Sequence, residues 1–205
     1  MTNIVSQSDV LHFVHDAAAR GELGAALDVP LSSVGLVAAD PPPPSSLLGD
    51  ESSPFVKPAA APPPPMPFVA CVDGATPSLD AFASLLRLGV SALGVVGDDG
   101  ALVANLSASD VRCVLPDRWG VLALPVRRLL EQWCGAGWGV TSRHGGAARA
   151  AGRGVIAVDR RATLRDAICS IVEHRIHHVF VVDDLKRPTG IVTTTDVLRL
   201  LVSPT

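Results

Sequence analysis

Two stretches of this chain align with each other, without a gap, at a constant offset of 86 residues. Asp80 matches Asp166, Ala81 matches Ala167, Ser84 matches Ser170, Val90 matches Ile176, Val95-Val96 matches Val181-Val182, and Asp110 matches Asp196. A helix pattern, two strand patterns, a turn and a helix start all stay in register, which identifies a duplicated unit. Each unit reads β-α-β-β-α, an α/β (α+β) pattern. A unit this small cannot cover both faces of its own sheet. The two copies are therefore expected to pack against each other about a pseudo-two-fold axis.

Residues 155–205 hold the clearer copy. Val155-Ile156-Ala157-Val158 is a short apolar strand. Thr163 with Asp166 three residues on is a capping box that opens a helix. Ala167, Ile168, Ile171 and Val172 give that helix one apolar face. His177 to Val182 is β-branched and aromatic and reads as a buried strand. Gly190-Ile191-Val192 is a third strand, and Thr193-Thr194-Thr195-Asp196 caps a last helix.

Residues 68–134 hold the other copy. Val69 to Val72 is a strand. Thr76-Pro77 predicts an N-cap followed by proline at the first helical position. Phe82, Leu85 and Leu86 predict the helix face, and Gly89 its end. Ala92 to Val96 and Leu102 to Leu106 are strands around the turn Asp98-Asp99-Gly100. Ser107-Ala108-Ser109-Asp110 opens a helix, and a further one starts at Pro125.

Residues 1–24 read as the strand–helix tail of a preceding repeat whose earlier part is missing: Asn3-Ile4-Val5, then Ser6-Gln7-Ser8-Asp9, then a helix with Val10, Leu11, Val14 and Ala18 on one face. Residues 38–67 contain eleven of the seventeen prolines and read as a polyproline-like spacer. Residues 135–154 are rich in glycine, alanine and arginine and predict a loop with no element of its own.

Net charge is −3 and the isoelectric point is about 6.0, so neither nucleic acid nor an anionic membrane surface is an expected partner. No apolar run is long enough to span a bilayer and no basic leader opens the chain, so the expected location is the cytoplasm or the nucleus. Cys71, Cys113, Cys134 and Cys169 form no CxxC pair; they predict reduced core residues, and no metal site is expected. His174 and His178 share helical spacing, but the helix should end near Arg175. No Walker loop, GxSxG or kinase signature is present, so the chain is not expected to be an enzyme.

The hydroxyl-x-hydroxyl-Asp motif occurs at Ser6-x-Ser8-Asp9, Ser107-x-Ser109-Asp110 and Thr193-x-Thr195-Asp196. Each copy lies between a strand end and a helix start, where free N–H groups and the helix dipole favour an anion. Hydroxyls for phosphate beside a carboxylate for a sugar diol suit a nucleotide. The same residue types are also the commonest N-caps and serve that role without a ligand. His177 and His178, at the mouth of the central strand, could meet a phosphate.

These residues resemble the CBS domain, the repeat named after cystathionine β-synthase, which pairs into Bateman modules. Gly190-Ile191-Val192-Thr193-Thr194-Thr195-Asp196 is similar to its terminal motif. Gly89 to Val96 looks like the third repeat, and Ile176 to Asp183 like the fourth, of the γ regulatory subunit of AMP-activated and sucrose-non-fermenting-type protein kinases. The resemblance implies tandem CBS repeats that bind AMP, ADP or ATP, without a metal. Asp110 and Asp196 would hold ribose. Ser107, Ser109, Thr193 and Thr195 would contact phosphate or sugar, and His177, with His178 beside it, would contact phosphate. The implied partners are a kinase catalytic subunit and a scaffolding subunit; the alternative is a homodimer or interaction scaffold built on the CBS pair with no nucleotide. Two departures stand out: His178 replaces an arginine of the γ pattern, and Ala104 replaces the motif glycine of the middle repeat.

Overall fold

The structure, a computed structural model, describes residues 6–37, 69–114, 117–132, 136–142 and 153–202. In chain order the elements are α1 (Gln7–Ala19), β1 (Cys71–Asp73), α2 (Ser78–Leu88), β2 (Ala92–Val96), β3 (Leu102–Ser107), α3 (Val126–Gln132), β4 (Ala136–Ser142), β5 (Arg153–Asp159), α4 (Leu164–His174), β6 (His178–Val182), β7 (Pro188–Thr193) and α5 (Thr194–Val202). Among the described residues they form a three-stranded sheet, β1-β2-β3, and a four-stranded sheet, β4-β5-β6-β7. In each, a parallel pair is followed by an antiparallel one, the signature of a β-α-β crossover closed by a hairpin.

The 86-residue offset holds in three dimensions. Both ends of α2 map onto α4, of β2 onto β6, and of β3 onto β7. Even the irregularity in the hairpin ladder repeats, between Val95 and Val96 in one copy and between Val181 and Val182 in the other. The two sheets share one core, in which Val69, Cys71 and Val96 are joined by their counterparts Val155, Ala157 and Val182. Equivalent positions meet each other, as an approximate two-fold axis demands. Phe180 packs at the position equivalent to Gly94, and a Cβ on Gly94 would lie 3.3 Å from the Phe180 ring. The two equivalent turns also touch, with Leu102 N–H donating to the Lys186 carbonyl at 2.9 Å.

The outer face of the second sheet carries a separate core. Leu11 and Val14 of α1 pack there with Ile168 and Ile171 of α4, Val181 of β6 and Val197 of α5. Leu27, Leu31 and Leu36, from the segment after α1, complete it. That segment is strapped across the last repeat by backbone pairing of Pro30 with Thr163 and Val37 with Gly190.

Four local expectations are corrected. A strand, β4, lies in the stretch 135–154 read as loop; it pairs in parallel with β5, a non-local contact that its glycines conceal. Pro77 occupies the N-cap itself and gives no side-chain cap; the Leu124 carbonyl takes over by accepting from Ser78 N–H at 2.9 Å and Ser78 Oγ at 2.7 Å. Leu86 is 85% exposed rather than on the buried face, which is made by Ala81, Ser84 and Leu85. Ser107-Ala108-Ser109-Asp110 opens a 3-10 turn, Ala108–Cys113, that ends at an extended Val114, not an α-helix. The predicted strand Asn3-Ile4-Val5, the proline-rich stretch 38–67 and the arginines Arg143 and Arg149 lie outside the described residues.

Candidate functional site

All three motif copies are built as capping boxes. Asp9 Oδ2 accepts from Ser6 N at 2.8 Å and Ser6 Oγ at 2.7 Å. Asp110 Oδ2 accepts from Ser107 N at 2.7 Å and Ser107 Oγ at 3.0 Å. Asp196 Oδ2 accepts from Thr193 N at 3.0 Å and Thr193 Oγ1 at 2.6 Å, and Thr193 Oγ1 accepts from Asp196 N at 3.2 Å. Thr163 and Asp166 do the same at the start of α4. The reason is local: an N-cap hydroxyl and a carboxylate three residues on satisfy each other's orphan donors. These hydrogen bonds hold the Asp9 carboxyl below its ordinary range, the Ser6 hydroxyl contributing most. At Asp196 the second oxygen, Oδ1, faces Arg199 at 3.9 Å. In the middle repeat Ser107 Oγ and Ser109 Oγ also pair, at 2.7 Å. Asn105, which shares a strand face with Ser107, keeps a buried Oδ1 with no partner among the described residues.

Consecutive strand residues point to opposite faces, and this splits the histidines. His177 is exposed beside the start of α5, and its carbonyl accepts from Thr194 N–H at 3.1 Å. His178 turns toward the inter-repeat core, where its ring meets Phe180 edge-on at 5.6 Å. Burial pushes the His178 pKa below its ordinary value of 6.5, the charge of His177 adds to this, and Asp110 of the other repeat opposes it. So His178 lies within electrostatic range of Asp110 of the other repeat, while His177 belongs to a different place.

That place is a crevice of about 190 Å³ between α1 and the last repeat. Leu11, Ile171, Val172 and Ile176 supply its apolar lining; Ser8, His12, Arg175, His177 and Thr194 supply its polar lining. Of the predicted site residues, the crevice gathers His177. The structure places Thr193, Thr195 and Asp196 at the start of α5 next to Thr194, and Ser107, Ser109 and Asp110 on the other repeat. Sequence reasoning missed Ser8, His12, Arg175 and Thr194 as a group, because Ser8 and His12 of α1 meet Arg175 and Thr194 across more than 150 residues of chain. One signal existed. Arg175 aligns with Gly89, and both end their helices at positive φ, 54° and 64°. A left-handed conformation costs a side-chain-bearing residue about 1–2 kcal/mol that glycine avoids. Arg175, like Lys186 opposite Gly100, thus carries a side chain where the other repeat uses glycine.

The His178 environment sets a pH response. The unfolded chain binds the proton more tightly than the folded one. The stability contributed by this group is full above the ordinary value of 6.5 and is lost as pH falls through and below it. Urea denaturation at about pH 7.5 and about pH 5.5 should show wild type losing stability on acidification. His178→Gln should lose measurably less; equal losses would contradict the assignment.

Residues 150–203 match the model of the CBS domain family. The last repeat is similar to a CBS domain. Its internal match to residues 68–134, element by element, gives the two copies one fold, that of tandem CBS repeats. Solved structures agree on the fold. A protein of Methanocaldococcus jannaschii, described as a candidate archaeal homologue of γ-AMPK, is 16% identical with a TM-score of 0.60 over 98% of this chain and 55% of its own. A conserved protein of Pyrococcus horikoshii is 15% identical with a TM-score of 0.57, over 97% of this chain and 62% of its own. The CBS domain of a bacterial CNNM/CorC family Mg2+ transporter is 12% identical with a TM-score of 0.52, over 98% of this chain and 99% of its own. The chain thus spans 55% and 62% of the length of the two archaeal proteins. No curated protein sequence gives a significant match. Among the described residues, no helix is long and apolar enough to cross a membrane.

Proposed function

We propose that this chain is a regulatory CBS-repeat protein that binds an adenine nucleotide and reports its level to a protein kinase complex, in the manner of a γ subunit. The observation that carries the reading is the α1 crevice. It sets a guanidinium and an imidazole, Arg175 and His177, beside the hydroxyls of Ser8 and Thr194 and an apolar lining. That set suits a phosphate attached to a less polar body. The strained backbone of Arg175 fits the same reading, since a side chain with a binding role can offset the cost of its conformation. The γ-like strand signatures and the likeness to the Methanocaldococcus jannaschii fold support the nucleotide class and the kinase context.

A second reading has its own support: a CBS pair serving only as a dimerisation or interaction scaffold. The capping boxes spend one oxygen of Asp110 and of Asp196 on their own backbone. A volume of about 190 Å³ also lies below the roughly 300–1,000 Å³ of typical ligand pockets. Titration calorimetry with AMP, ADP and ATP separates the two readings. Arg175→Gly is the decisive variant, because it relieves the strained φ and removes the guanidinium together. The nucleotide reading expects binding by wild type and a loss of roughly ten-fold or more in Arg175→Gly and His177→Ala, without loss of folded stability in Arg175→Gly. Wild type that binds none of the three, or variants that bind as well as wild type, would leave the scaffold reading.

A further inference from the structure

One turn along from the crevice, the same helix pair carries a cluster that the nucleotide reading does not use. His15 of α1 faces Cys169 and Glu173 of α4, and one donor atom from each lies within 4.8 Å of the others. Cys169 and Glu173 are four apart on one helix, so they share a face. His15 comes from a helix more than 150 residues away in sequence, which is why no ligand spacing was visible in the chain. We propose that His15, Cys169 and Glu173 form a site for one divalent transition metal, with Zn2+ as the fitting occupant, and that the ion clamps α1 onto α4.

The donor set selects the ion. One imidazole nitrogen, one thiolate and one carboxylate suit Zn2+ or a similar borderline metal. A single carboxylate is far short of the oxygen shell that Ca2+ or Mg2+ requires. Zinc bonds of about 2.0–2.3 Å put tetrahedral ligands about 3.3–3.8 Å apart, so the donors need to close by only about an ångström. None of the three side chains is fully buried, so small rotations can supply that movement. Three protein ligands leave a fourth position for water, as in open zinc sites.

The surroundings distinguish Cys169 from Cys71. Cys71 is sealed in the inter-repeat core, where burial pushes its thiol up to about 12 and keeps it from serving as a ligand. Cys169 is only partly buried and lies within electrostatic range of the Arg165 guanidinium, so it is accessible where Cys71 is not. Arg165 is itself anchored to Asp28, Nε to Oδ1, at 2.7 Å. The Asp16 carboxylate, 3.3 Å from His15 Nδ1, adds negative charge beside the site and steadies the imidazole as carboxylates do behind metal-bound histidines.

The test uses the full chain stripped of metal by a chelator, then titrated with Zn2+ and, separately, Co2+. We expect one Zn2+ per chain and a Co2+ complex with a thiolate-to-metal charge-transfer band. Cys169→Ser should abolish that band. Cys169→Ser and His15→Ala should each weaken Zn2+ binding by more than the roughly 10–100-fold that loss of a supporting residue costs a metal site. His174→Ala, which alters a histidine outside the triad, should bind as wild type does. Should Cys169→Ser fold poorly, His15→Ala carries the test from the other helix, with circular dichroism reporting its folding. A Co2+ spectrum with no thiolate band, or Zn2+ binding unchanged in His15→Ala, would overturn the proposal.

Discussion

Phe180→Ala is expected to destabilise the fold by about 3–5 kcal/mol, the range for deleting a fully buried aromatic side chain. Phe180 is 1% exposed and stands where the two repeats meet. Its counterpart in the other repeat is Gly94, and around a Gly94 Cβ the nearest atoms would be Cys71 Sγ and Leu102 Cδ1, each at 3.1 Å, and Phe180 Cε1 at 3.3 Å. The space near an approximate two-fold axis admits one large side chain, so one repeat supplies the ring and the other yields the room. The pair should therefore be coupled. Gly94→Ala should cost stability in wild type, where the new methyl meets three close atoms, and cost less in Phe180→Ala, where one of them is gone. Chemical denaturation of the four-member cycle measures this. Additive costs would mean that the two residues do not share one space.

Gly190→Val is the second large effect. A Cβ at Gly190 would overlap the carbonyl oxygen of Leu36 and lie 3.3 Å from Val37 Cα, both backbone atoms of the strap. Backbone cannot yield as a side-chain tip can, so the strap must lift. The expected cost is at least the roughly 1–3 kcal/mol of an overpacked core, because Leu31 and Leu36 lose their cover with it. Limited proteolysis within 29–37 should become faster in step with the loss of stability. Unchanged proteolysis would show that the strap does not depend on close approach at Gly190. The same contact accounts for one departure from the family pattern. Ala104 holds the equivalent place in the middle repeat, and among the described residues no strap crosses it, so a methyl is tolerated there.

Where a signal is local, the sequence carries it well. Thr163 with Asp166, and Thr193 with Asp196, are legible as helix starts because a hydroxyl and a carboxylate three apart close on each other. Alternation and turn residues locate β2, β3, β6 and β7, and the offset keeps them in phase. Signals that need a distant partner are lost. β4 is glycine-rich and becomes a strand only through β5. Pro77 dispenses with a side-chain cap because Leu124, 47 residues along the chain, supplies the acceptor for Ser78. The candidate site divides in the same way. The motif residues are legible as helix caps, and the structure builds them as capping boxes. Arg175, Ser8 and Thr194 become neighbours of His177 only after α1 docks on α4 and α5. The His15–Cys169–Glu173 cluster depends on that docking too, and this is why cysteine spacing alone gave no hint of a metal.

The account rests on the crevice between α1 and the last repeat being the place where a phosphate-bearing ligand is held. Amide chemical-shift mapping of the full chain during titration with AMP tests this most directly. The account predicts saturable shifts at Ser8, Arg175, His177 and Thr194, with smaller changes along α1 and the start of α5. Shifts confined to Ser107, Ser109 and Asp110, or no saturable shifts at all, would contradict it.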